Sequence, residues 1–178
     1  MPTEIIFSLP MKPPDRPARR LAELSVCTAL LLAVQVAMAP LPNIELVSLL
    51  ILLDTRVFRR QALLIVYAFV LLEGLIYGFQ LWWIAYLYVW TVWWATVTVF
   101  NRRQRPVLQW ALLCGAFGLL FGGLCALLYL FFGGPAAAFG WWVAGIPMDL
   151  LHGAGNFTLT LILFRPLSSA LDRVCPAA

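Results

Sequence analysis

Six apolar runs, at residues 22–39, 44–58, 61–79, 82–100, 107–132 and 141–164, are joined by two kinds of connection. One kind holds Arg16, Arg19 and Arg20, then Arg56, Arg59 and Arg60, then Arg102, Arg103 and Arg105, and last Arg165 with Arg173. The other kind, "PLPN", "GFQL" and "FGGPAAAFG", has no lysine or arginine at all. A hydrocarbon core of about 30 Å takes about 20 helical residues to cross. Inside it every backbone amide must find its partner within the protein, which favours helices for runs of this length. Lys and Arg are retained on the cytoplasmic side. The alternation therefore predicts an all-α integral membrane protein, a six-transmembrane-helix bundle with both termini cytoplasmic. Residues 1–20 read as a Pro/Arg-rich tail, 21–168 as the membrane domain and 169–178 as a second tail.

Composition closes off the other classes. Of 178 residues, 63% are apolar and 11% charged, against a charged share of about 25% in soluble domains. A chain this short has too little interior to hide that much apolar surface from water. The net charge of +4 comes from arginines flanking apolar runs, the arrangement of loop anchors and not of a nucleic-acid footprint. Cys27, Cys114, Cys125 and Cys175 have no paired spacing and read as reduced packing residues. "AMA" before Pro40 imitates a secretory cleavage site. The segment before it, however, is longer than the usual 15–30 residues, so the run is expected to stay as the first span.

The second run is short. From Glu45 to Phe58 a helix covers only about 20 Å, yet it has to cross for the next arginines to reach the cytoplasm. The irregular "APLPNIE" before it is therefore expected to dip below the outer surface, where non-helical backbone is tolerated only against protein or a water-filled cavity. Glu45 would then stand at the lip of a cavity.

The sixth run holds a polar stripe. At about 100° per residue, Trp142, Gly145, Asp149, His152, Gly153, Asn156 and Thr160 share roughly a third of the circumference. Asp149 and His152 could simply pair with each other, with Asn156 bonded to a neighbouring helix at about 0.6 kcal/mol. An Asp near the middle of a span costs about 2.5–3.5 kcal/mol, however, and intramembrane ionisable groups mark functional sites. Pro147 is expected to kink or loosen this helix. In the fourth run Trp82, Trp83, Tyr86, Trp90, Trp93 and Trp94 lie on one arc. Trp82 and Trp83 suit an interfacial belt, whereas Tyr86 and Trp90 are deep enough either to pack the core or to wall a site for a flat ring. The third run carries Glu73 about 9 Å from its outer end if helical, with Tyr77 one turn further out; a Tyr or His elsewhere could pair with it. Ala111, Gly115, Gly118, Gly122 and Ala126 on the fifth run, with a GxxxG, read as a close-packing face. Ala29, Ala33 and Ala37 give the first run a similar small-residue stripe. Asp54 is expected to pair with Arg56 or Arg59. The acids and the imidazole thus gather toward the outer half, and the arginines toward the inner.

No Walker-type loop, HExxH or Cys/His ligand set is present, so neither ATP hydrolysis by this chain nor a hydrolytic metal is expected. Ser48 could meet His152 and Asp149, but no GxSxG elbow presents it. The chain reads as a non-enzyme that needs no cofactor.

"ALLLAVQVAMAPLPNIELVSLLILL", "LLEGLIYGFQLWWIAYLYVW" and "GIPMDLLHGAGNFTLTLILFRPL" together resemble the S components of energy-coupling factor (ECF) transporters, over roughly residues 22–170. The resemblance implies a six-helix subunit of the bacterial cytoplasmic membrane. Such a subunit captures a vitamin or related small molecule from outside and delivers it through a T component and two ATPase subunits. It implies a partner-docking stripe on the first helix, matched by Ala29, Ala33 and Ala37. It also implies an outer pocket, which by position would use Trp82, Trp83, Tyr86, Trp141, Trp142, Asp149, His152 and Asn156, with Glu45 in the first outer loop. Glu73 and Trp90 complete the candidate ligand set. With carboxylates and no Lys or Arg in the outer half, a neutral or cationic heteroaromatic is the favoured ligand. Two other readings fit the same topology: a scaffold subunit of envelope machinery, and a cation-coupled transporter with Glu73 or Asp149 as proton carrier.

Overall fold

The computed structural model describes residues 16–101 and 105–175. The tail before Arg16, and Arg102 and Arg103 of the third arginine group, lie outside the described residues. The elements are α1 (Arg16–Met38), α2 (Val47–Phe58), a 3₁₀ turn (Arg59–Gln61), α3 (Ala62–Tyr77), α4 (Leu81–Phe100) and α5 (Val107–Val174), with no strand among the described residues. Helix α1 begins inside the segment read as the N-terminal tail, and α5 continues through most of the C-terminal one.

Four stretches are long and apolar enough to cross a membrane: Pro17–Met38, Val47–Tyr77, Leu81–Phe100 and Val107–Val174. Two of them are composite. Between α2 and α3, Arg59 takes a positive φ of 53°, uncommon for a residue with a Cβ, and the chain turns back. Glu45, just before α2, and Glu73 and Tyr77, at the end of α3, consequently line the same cavity. Within α5, Gly134 has φ 74° and ψ −176°, a region open essentially to glycine alone. Pro135 follows, in the first position of the next helical segment, where its missing N–H removes no bond. The spacing of the fifth and sixth runs predicts an eight-residue loop here; the chain needs one residue. Ala136, Ala137 and Ala138, expected within that loop, are strong helix formers and continue the helix. Pro147 also lies within helical backbone: Gly134 alone departs from helical dihedrals in α5.

The two arms of α5, residues 107–133 and 135–174, close on each other through the expected glycine face. A Cβ on Gly118 would fall 2.8 Å from backbone atoms of His152 and Gly153, and one on Gly115 would fall 3.1 Å from Phe157 Cβ. Only hydrogens at those positions allow the arms to approach so closely. Helix α2 is the centre of the bundle, with ten of its twelve residues buried. It packs on α4 and α5, while α1 packs mainly on α3. Tryptophan N–H groups tie the layers together: Trp93 donates to Ser48 O of α2 at 2.9 Å, Trp83 to Val70 O of α3 at 2.8 Å and Trp94 to Arg59 O at 3.0 Å.

The arginines gather at one end. Arg20 donates to Gln61 at 2.7 Å and pairs with Glu23, which Arg19 also meets at 3.0 Å. Arg56 bonds Ser168 at 3.0 Å and lies over the Phe164 ring at 4.9 Å. Neither Arg56 nor Arg59 meets Asp54, which is buried beside Cys27. The carboxylate points from α2 toward α1, away from the turn that holds the arginines. All four cysteines are free.

Candidate ligand-binding site

At the end of the bundle opposite the arginines, residues 39–46 leave α1 without helix, and Asn43 takes φ 52°. Asparagine tolerates this left-handed region better than most residues. Glu45 is thereby brought over the start of α2. Its carboxylate accepts the Ser48 N–H at 2.8 Å and the Ser48 hydroxyl at 2.5 Å. A negative group on the open N–H groups of a helix start satisfies them and matches the helix dipole. His152 of α5 reaches the same carboxylate, Nε2 to Oε1 at 3.0 Å. The Ser48 hydroxyl in turn accepts Asn156 Nδ2 at 3.1 Å. Ser48 is thus a hub that joins the loop, α2, α4 and the second arm of α5.

Beside this network lies a cavity of about 410 Å³, within the range of small-molecule sites. The 39–45 segment and the end of α1, with Gln35 and Met38, form one side. Glu73 and Tyr77 of α3, Trp82, Tyr86 and Trp90 of α4, and Phe121 and His152 of α5 form the rest. The aromatic wall is a ladder of edge contacts: Trp82 to Tyr86 at 5.2 Å and Tyr86 to Trp90 at 5.6 Å, with Phe121 at 4.8 Å from the His152 ring. Of the two acids on the wall, Glu45 is held by its three donors. Glu73 is only 1% exposed and makes no hydrogen bond among the described residues. The lining includes no lysine or arginine.

Six of the candidate ligand residues therefore meet at one cavity: Glu45, Glu73, Trp82, Tyr86, Trp90 and His152. Asn156 stands behind the wall, bonded to Ser48. Four lie elsewhere. Asp149 turns into the contact between the two arms of α5, where Oδ1 accepts the Gly122 N–H at 2.9 Å and Oδ2 has no partner. The Asp149–His152 pair considered from spacing does not form, because His152 bonds Glu45 instead. Trp83 is occupied with Val70 O and the edge of Phe79. Trp141 stacks on Tyr129 at 4.3 Å, and Trp142 lies beside Gly123 and Phe139; both indoles are exposed.

Gln35, Asn43 and Phe121 join the cavity without standing out in the sequence. Gln35 is a lone polar residue near the end of the first apolar run, a weak signal that only the loop fold gives meaning. Ala29, Ala33 and Ala37 are exposed along a shallow groove of about 610 Å³ between α1 and α3. Among the described residues, no group of three or more His, Cys, Asp and Glu side chains is placed to hold a metal ion.

No family model, curated protein or solved structure matches this chain. What the site can do therefore rests on its own chemistry. It is a concave, aromatic-walled space with one engaged and one unengaged carboxylate.

Proposed function

We propose that this chain is the substrate-binding subunit of an ECF-type importer. It holds a vitamin-like small heteroaromatic in the cavity between Glu45, Glu73, Trp82, Tyr86, Trp90 and His152. In this reading the bends at Arg59–Gln61 and Gly134 turn four apolar stretches into six crossings. Both termini and the arginine end face the cytoplasm of a bacterium, and the cavity faces out. The observation that carries the proposal is the placement of an aromatic, acid-lined cavity of about 410 Å³ at the end opposite the arginines. A subunit that only scaffolds needs no such space. The Ala29, Ala33 and Ala37 groove on α1 is the surface offered to the T component.

Two measurements test the proposal. Mass spectrometry of the purified, detergent-solubilised protein should find a copurifying small molecule. In proteoliposomes the chain alone should bind without turnover, and uptake should require the T component, both ATPases and ATP. Uptake driven by an ion gradient through this chain alone would instead establish the cation-coupled carrier, a reading favoured by one observation, the unpaired buried acid Glu73.

A further inference from the structure

The two acids that reach the cavity are not equivalent. Glu45 is engaged by Ser48 twice and by His152, so an occupant meets a carboxylate already satisfied by the protein. Glu73 is buried to 1% exposure, lines the same cavity and has no hydrogen-bond partner among the described residues. Its carboxylate therefore borders the cavity with no protein group bonded to it, and a carboxylate drawn this far out of bulk water gains from a partner of opposite charge. The wall has no lysine or arginine, and none of its neutral donors is bonded to Glu73. An occupant that brings positive charge and N–H groups supplies both charge and hydrogen bonds, and such charge-assisted bonds are about twice as strong as neutral ones. The aromatic side of the cavity, Tyr86 and Trp90, adds the attraction of ring quadrupoles for a desolvated cation. An anion would meet two carboxylates, and a neutral donor would hydrogen-bond Glu73 but leave its charge uncompensated.

Resting on the reading of this cavity as a ligand site, we infer that its occupant is a flat organic cation bearing N–H donors, an amidinium-like or protonated N-heterocyclic group, and that Glu73 selects for that charge. Asp149 takes no part, since its carboxylate faces Gly122 between the arms of α5 and does not line the cavity. Glu45 and His152 shape the wall and do not neutralise the occupant.

The test titrates the full chain in nanodiscs with three one-ring probes of matched shape, benzamidinium, benzamide and benzoate, followed by calorimetry. Benzamidinium is expected to bind at least about tenfold more tightly than benzamide, the factor that corresponds to one charge-assisted hydrogen bond, and benzoate is expected to bind weakest. Glu73→Gln should erase the margin and still bind benzamide. If that variant loses all three probes, Glu73→Asp, which keeps the charge, decides: a retained preference for benzamidinium supports the inference and its loss overturns it. Equal binding of benzamidinium and benzamide, a margin that survives in Glu73→Gln, or no binding of benzamidinium would each overturn it. A copurifying ligand that is neutral or anionic overturns this inference and leaves the importer reading standing. ATP-independent transport by the chain alone overturns the importer reading and leaves charge selection untouched.

Discussion

Asp149 and His152 are less than one helical turn apart on the same stripe of α5, and they serve different parts of the molecule. His152, with Asn156 one turn on, reaches across to Glu45 and Ser48 and builds the wall of the cavity. Asp149 looks the other way, into the first arm of its own helix, where it accepts a backbone N–H from Gly122 and leaves one oxygen unbonded. Periodicity puts all three on one face. What each then does is decided by the neighbour opposite, which is a loop and α2 for His152 and Asn156 and a glycine-lined arm for Asp149. A polar stripe on a membrane helix is not one site by virtue of being one stripe.

The sharpest way to break this comparison is His152→Ala. It takes from the part-buried Glu45 one of its three donors, leaving the two from Ser48, and a hydrogen bond to a charged group is worth about 1.5–3 kcal/mol. Thermal unfolding in detergent should show the largest loss of any single change on the stripe, and a loss no greater than that of the Asp149 substitution would dissolve the distinction. Next comes the arm contact itself. Gly118→Val introduces a Cβ at 2.8 Å from the His152 and Gly153 backbone, and overpacking of this kind costs about 1–3 kcal/mol. Gly145→Ala, with nothing within 4 Å, should be neutral or slightly stabilising in the same assay, since alanine is the better helix former. Asn156→Ala removes one hydrogen bond to Ser48 and should cost about 1 kcal/mol, with a matching weakening of whatever small molecule the cavity holds. The smallest effect belongs to Asp149→Asn. The amide oxygen still accepts from Gly122, so stability should change by less than about 1 kcal/mol, and ligand affinity measured by calorimetry should not move. A loss of binding there would return Asp149 to the site.

Much of the fold is legible in the residues alone. Hydropathy locates α2, α3 and α4 to within three residues but starts α1 six residues late and cuts the second arm of α5 short at both ends, and the glycine spacing on the fifth run names the face that closes the two arms. The shortness of the second run points to an irregular segment bearing Glu45 beside a cavity, which is where Glu45 lies. The departures share a cause, since each depends on what an element meets in space. Glycine and proline in "FGGPAAAFG" suggest a loop because both break helices, but Pro135 opens a helical segment and only Gly134 breaks one. Trp142 groups with the site by its place at one end of the sequence stripe, and Trp141 by its position in the family resemblance, yet α5 leaves both indoles exposed away from the cavity. Asp54 has Arg56 and Arg59 as its nearest arginines in sequence, whereas α2 points it at α1. The sequence raises Ser48 only as a possible neighbour of His152 and Asp149; its role as a hub is not legible, because a small hydroxyl becomes a hub only when a loop, two helices and an indole converge on it. The aromatics of the fourth run divide by what they meet. Trp83, Trp93 and Trp94 clamp helices together, while Trp82, Tyr86 and Trp90 border open space.

The one-residue break at Gly134 has a mechanical consequence. Two antiparallel arms joined by a single residue and closed by backbone-to-backbone contact have no slack, so they move as a rigid strut. The slack at this end of the molecule belongs to residues 39–46, eight positions held by a few turn-type hydrogen bonds and by the Glu45 carboxylate. In the proposed importer, this strap is the part of the cavity wall with room to move aside for an occupant.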